Sequence, residues 1–86
     1  EDCIINTGAI IEHDCILGDG VHTAPRSVMG GNCHLGAATL FGIGAVARPG
    51  TRIGSKAIVG AGAVVVSAIP EGAIVTGIPA KARSRR

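Results

Sequence analysis

The sequence predicts an all-β fold, a solenoid of short parallel strands wound as a triangular prism. Three observations predict it. A six-residue period runs along the chain, glycine recurs at the second position of that period, and the first and fifth positions are apolar or small. Read in sixes from Ile5, the chain is INTGAI, IEHDCI, LGDGVH, TAPRSV, MGGNCH, LGAATL, FGIGAV, ARPGTR, IGSKAI, VGAGAV and VVSAIP, eleven hexads without a gap as far as Pro70. Self-similarity at a short fixed period is the signature of a repeat architecture.

Each beat of the hexad has a structural meaning. The first position holds Ile5, Ile11, Leu17, Thr23, Met29, Leu35, Phe41, Ala47, Ile53, Val59 and Val65. The fifth is mostly small: Ala9, Cys15, Val21, Ser27, Cys33, Thr39, Ala45, Thr51, Ala57, Ala63 and Ile69. From a fifth position to the next first position is a step of two, the same-face period of a strand. Each hexad is therefore a short strand with two inward side chains and an outward sixth position between them. The second to fourth positions turn the corner, and glycine at Gly18, Gly30, Gly36, Gly42, Gly54 and Gly60 suits a tight backbone there. Three corners close a coil of eighteen residues, so the hexads make about 3.7 coils, stacked as parallel strands about 4.8 Å apart. The β-helix is expected over residues 1–70, with a C-terminal cap and basic tail over 71–86.

Residues eighteen apart stack, which sorts the outward side chains into three columns. The first is Ile10, Val28, Val46 and Val64; the second is Ile16, His34, Arg52 and Pro70; the third is His22, Leu40 and Ile58. A solvated face alternates apolar-in with polar-out. The first column is apolar on both sides and the third nearly so. Exposed aliphatic stripes mark interfaces, and two such faces on one prism predict a cyclic homotrimer.

Composition narrows the function classes. Phe41 is the only aromatic among 86 residues, so the core is thin and needs regular packing or assembly. The net charge of +2 is too weak to imply nucleic acid, and the basic end, KARSRR, reads as a solvated tail. No apolar stretch approaches the roughly 20 residues of a membrane span, and no signal peptide is visible. Cys3, Cys15 and Cys33 all fall at the fifth, inward position. Small apolar filler accounts for all three, so reduced thiols and a cytoplasmic setting are expected. Inward positions leave no room for a metal ion.

Glu12, His13 and Asp14 interrupt an apolar run and occupy one corner. A solvated corner would explain them. Three details favour a site. His13 is flanked by two carboxylates that can hold imidazolium charge. One coil above it stands Gly31, which has no side chain to block approach. The corner also borders the apolar first column, at the rim of the expected interface.

The hexads resemble the hexapeptide-repeat transferases, whose fold is a left-handed parallel β-helix. The left hand comes from that resemblance alone, since parallel crossovers are right-handed in about 98% of cases. The stretches INTGAIIEHDCILGDGVHTAP, IGSKAIVGAGAVV and GAIVTGIPAK are similar to the sialic acid O-acetyltransferase family. That family includes bacterial enzymes acetylating sugars and nucleotide-linked amino sugars in bacillosamine and perosamine synthesis. The resemblance implies acetyl-CoA as co-substrate, no metal, a sugar or nucleotide-linked sugar as acceptor, and a role in polysaccharide biosynthesis. It implies His13 as general base, Asp14 as its support, and His22 at the acetyl-CoA end of the pocket. It further implies that Gly31 offers its N–H to the thioester carbonyl, and that Ile43 and Ala61 touch the pantetheine arm. Family members carry a preceding α/β domain that binds the sugar nucleotide; it is expected to be absent from this chain, which begins in mid-pattern. The stretch ARPGTR departs from the family, with Ala47 where a larger aliphatic is usual and Arg48 where glycine is usual. Two rivals remain. One is a trimeric β-helical metalloenzyme of carbonic anhydrase type, although His13, His22 and His34 share no column. The other is a non-catalytic solenoid module, for which the EHDC corner has no use.

Overall fold

The structure, a computed structural model, describes residues 3–82, with the side chain of Ala82 left aside. The residues of the basic tail beyond it, and Glu1 and Asp2, lie outside the described residues. Inward and outward residues alternate across very short strands: β1 Ile4–Ile5, β2 Ile10–Ile11, β3 Ile16–Leu17, β4 His22–Thr23, β5 Val28–Met29, β6 His34–Leu35, β7 Leu40–Phe41, β8 Val46–Ala47, β9 Arg52–Ile53, β10 Ile58–Val59, β11 Val64–Val65, β12 Ile74–Thr76 and β13 Lys81–Ala82. Each of the first eleven is a sixth position followed by a first position.

The strands stack into three faces. Face A is β1-β4-β7-β10-β12-β13, face B is β2-β5-β8-β11, and face C is β3-β6-β9. All pairs are parallel except β12 with β13. Ile4 lies opposite His22, Ile10 opposite Val28 and Ile16 opposite His34, a register of eighteen residues to the coil. The result is a parallel β-helix measuring 31 × 22 × 22 Å.

The core is the prism axis. From Val21 to Val65 every first- and fifth-position side chain is buried. Polar members of that column stay inside because each finds a carbonyl. Thr39 Oγ1 donates to Gly54 O at 2.8 Å, Cys33 Sγ to Arg48 O at 3.3 Å, and Cys15 Sγ to Gly30 O at 3.2 Å. Cys15 and Cys33 are thiols, not a disulfide. In the first coil Ile5 is exposed and Ile11 and Leu17 half-buried, because none of the described residues stacks beneath them.

Two expectations need correction. The six-residue period does not run unbroken to Pro70. Ile69 bridges to Ile53 and Ile74 lies opposite Ile58, sixteen residues apart rather than eighteen. The hexad after Val65 is two residues short, so Pro70 does not stack on Arg52. The period restarts as IPEGAI from Ile69, and parallel stacking continues to Thr76.

The second-position glycines also act differently from the torsional reading. A Cβ on Gly36 would lie 2.5 Å from Ser55 N, so the coil above rests directly on it. The left-handed conformation belongs to the fourth position instead, at Asp14, Arg26, Asn32, Ala38 and Lys56 and at several glycines.

Candidate active site

The corner 12–14 joins β2 of face B to β3 of face C. Glu12 N donates to Met29 O at 3.1 Å, and His13 O accepts from Asn32 N at 3.0 Å, which fix this corner under the next one. Asp14 takes φ 61°. Asp and Asn tolerate that region better than most residues. The turn carries the Asp14 carboxylate back beside its neighbour, where Oδ2 lies 3.2 Å from His13 Nδ1. A carboxylate only accepts, so this hydrogen bond requires a proton on Nδ1, and the tautomer that makes it carries its lone pair on Nε2. Both side chains are open to solvent, at 73% and 77% exposure.

Gly31 completes this edge of the prism. A Cβ there would lie 2.9 Å from both Cε1 and Nε2 of His13. The imidazole therefore lies against the glycine, in space that any side chain would take. Gly31 is buried. Its carbonyl accepts from Gly50 N at 2.8 Å, while its own N–H donates to no backbone carbonyl among the described residues. The coils do not pair the N–H of this beat with a backbone carbonyl among the described residues, and proline, which lacks it, fills the same third position at Pro25 and Pro49. A ring nitrogen and a backbone N–H without a backbone acceptor among the described residues thus share one edge, the two kinds of group that general-base catalysis and oxyanion stabilisation call for.

The other expected site residues stand elsewhere in the single chain. Ile43 and Ala61 share the edge between faces A and B, Ile43 being 60% exposed. His22 lies on face A, between Ile4 and Leu40. Its Nε2 is buried and has no hydrogen-bond partner among the described residues. The chain joins His13, Asp14 and Gly31 and keeps Ile43, Ala61 and His22 apart from them, with face B between the two edges.

Sequence reasoning missed the surroundings of Arg52. Two open cavities of about 400 and 440 Å³ border face C, and His13 lines neither. The signal was available in the spacing, since IPEGAI is itself a well-formed hexad beginning at Ile69. Among the described residues no group of three His, Cys, Asp or Glu could hold a metal ion, and no helix is long and apolar enough to cross a membrane.

No family model matches the chain. It is similar to PerB from Caulobacter crescentus, solved in complex with CoA and GDP-perosamine: TM-score 0.94 and 44% identity, covering 95% of this chain and 40% of that one. It is similar as well to the acetyltransferase domain of PglB from Neisseria gonorrhoeae, also solved with acetyl coenzyme A: TM-score 0.93 and 43% identity, covering 94% of this chain and 40% of that one. A 2,3,4,5-tetrahydropyridine-2,6-dicarboxylate N-acetyltransferase of Staphylococcus aureus is 52% identical over 42 residues, 49% of this chain and 18% of the relative. The chain spans less than half the length of each of these proteins.

Proposed function

We propose that this chain, whose fold is that of the hexapeptide-repeat acetyltransferases, carries the acetyl-transfer centre of an enzyme acting on a sugar. The acceptor is an amino or hydroxyl group of a sugar or nucleotide-linked sugar. One observation carries the reading: the His13 ring lies against Gly31, with Nδ1 held by Asp14 and an unused N–H at the glycine.

Acetyl-CoA supplies the thioester. His13 Nε2 takes the acceptor's proton as its nitrogen or oxygen attacks. Asp14 holds the ring in the productive tautomer and faces the imidazolium as it forms. Gly31 N–H donates to the thioester oxygen as negative charge grows on it, and a rigid coil lets it do so without reorganising. The attack is direct, because Cys15 and Cys33 point into the prism and donate to backbone carbonyls. The likeness to proteins solved with CoA, acetyl coenzyme A and GDP-perosamine supports this assignment.

The site is built between subunits. The outward residues of faces A and B are largely apolar, with Ile4, Ile10, Leu40 and Ile58 exposed. Packing face A of one subunit on face B of the next sets the Ile43 and Ala61 edge of one chain against the His13 edge of another. His22, whose buried Nε2 has no partner among the described residues, then faces the same seam and contacts the acetyl-CoA. A homotrimer closes this arrangement.

The test is to mix the purified protein with acetyl-CoA and a panel of nucleotide-linked amino sugars and follow release of the CoA thiol. Turnover with at least one acceptor is expected, and it should collapse in His13→Ala. Full turnover in that variant would move the base to another residue.

A further inference from the structure

The two-residue shortening after Val65 marks face C in a way that acetyl transfer does not use. Eight corners close alike. The fourth-position N–H donates to the third-position carbonyl of the coil below at 2.8–3.0 Å, as from Arg26 to Thr7, Asn32 to His13, Gly50 to Gly31 and Gly72 to Ser55. At the corner 66–68 the counterpart would run from Ala68 to Pro49, and that bond is missing. The N–H groups of Ser67 and Ala68 have no acceptor among the described residues. The register that sets Ile69 over Ile53 sets Ala68 over Arg52, so only a methyl group stands above Arg52 where the column ends.

What remains is a notch where the two open cavities meet, both lined by Arg52 and Ala68. Arg48 and Ser67 line one side of it, His34 and Ser55 the other, and neither lining contains a carboxylate. Arg52 Nη1 lies 3.4 Å from His34 Nδ1. Neither Arg48 nor Arg52 has an ion-pair partner among the described residues. Two guanidinium groups, an imidazole and uncommitted N–H groups thus gather at one place with no anion to answer them.

We infer that this notch is an oxyanion site for a phosphate group. Guanidinium forks match phosphate oxygens in pairs, and unpaired backbone N–H groups add donors that need no side-chain ordering. The shortened corner supplies the room. The notch lies on the same edge as His13 and Gly31, with Ser67 two coils from Gly31, about 10 Å along the axis at 4.8 Å per coil. Two sources carry this chemistry: a phosphate of CoA itself, or free inorganic phosphate. The inference does not depend on acetyl transfer.

The experiment titrates the ¹⁵N-labelled protein with inorganic phosphate at constant ionic strength. It follows the backbone N–H signals of Ser67 and Ala68 and the side-chain Nε–H of Arg52. Saturable shifts confined to the notch are expected. Arg52→Gln should weaken the affinity at least about tenfold, the worth of a charge-assisted hydrogen bond. Arg48→Gln should weaken it as well, while Arg26→Gln, on the far edge between faces A and B, should leave it unchanged. Shifts that never saturate, or an equal loss in Arg26→Gln, would overturn the inference. Repeating the titration with CoA and with dephospho-CoA separates the sources. Notch shifts with CoA but not dephospho-CoA assign the 3′-phosphate, and shifts with inorganic phosphate alone assign the free ion. A protein that binds phosphate here yet releases no thiol from acetyl-CoA would keep this site and lose the transferase reading.

Discussion

His13 shows how one residue depends on what its neighbours lack. Its ring occupies space that exists because residue 31 has no Cβ, and its tautomer is set by Asp14 in a left-handed turn. His13→Ala should lower kcat by about 10²–10⁴-fold, the usual worth of a general base. Acetyl-CoA affinity should change little, which a separate binding isotherm would check. Gly31→Ala is the finer test. Its Cβ would meet the imidazole at 2.9 Å, and no positive φ strains the substitution. Activity should fall at least about tenfold through the displaced base, while the thermal midpoint stays near that of the wild type. A variant that melted early and lost activity in proportion would make Gly31 a packing residue only. Cys33 illustrates burial in the core. Desolvation pushes its thiol up from the ordinary value, against an opposing hydrogen bond from the Thr51 backbone. The folded state therefore favours the neutral thiol. That contribution is whole below the unfolded thiol's value, about pH 8.5, and is lost as pH rises through the folded one. Urea unfolding should show stability falling above that pH more steeply in wild type than in Cys33→Ala, and parallel slopes would remove the cause. At this scale the sequence was readable wherever the period put a residue directly above another, as Gly31 above His13. Tautomer and ring placement were not, because they follow from one backbone torsion at Asp14.

A hexad divides its special backbone between two beats, and the substitutions that probe them have opposite signs. The second position is where the next coil touches down, so Gly36→Ala would drive a Cβ to 2.5 Å from Ser55 N. The fourth position is where the chain turns left, so Ala38 sits at φ 60°, a conformation that costs a non-glycine residue roughly 1–2 kcal/mol. Gly36→Ala should destabilise by about 2 kcal/mol or more, as overpacking does. Ala38→Gly should stabilise by about 0.5–1 kcal/mol, the left-handed cost less the extra entropy of glycine. Both are read from urea midpoints at constant slope. Loss of stability in Ala38→Gly would mean that its methyl packs more than its torsion strains. The strands themselves were legible because the two-residue step from fifth to first position is a strand's own period. The shortened corner was hidden by the same regularity. Val65, Val66 and Ile69 continue an apolar run, and only the stacking of Ile69 on Ile53 shows where two residues are missing.

The three faces of the prism differ, and the difference decides how complete one chain is. Faces A and B present aliphatic columns, while face C presents Ile16, His34 and Arg52. That contrast was legible from residues eighteen apart. What the columns could not give is which residues meet across a seam, since a partner's edge leaves no period in the sequence. Val46 is half-buried in the single chain, in the middle of the face B column. Val46→Glu would bury an unpaired carboxylate in the proposed interface. Light scattering should find this variant dissociated and the wild type trimeric, and a monomeric wild type would end the assembly reading. Sharing of the site can be tested without breaking the assembly. His13 and Ile43 lie on different edges, so each proposed site takes His13 from one chain and Ile43 from its neighbour. His13→Ala and Ile43→Glu homotrimers should both be inactive, and Ile43 is exposed enough for the second variant to fold. In trimers reassembled from an equal mixture, a seam is intact when an Ile43→Glu chain supplies His13 and a His13→Ala chain supplies Ile43. With closed cyclic symmetry that holds for about a quarter of the seams, so turnover should return to about a quarter of the wild-type rate. If both residues served one site within the same chain, every chain would carry one defect and mixing would restore nothing.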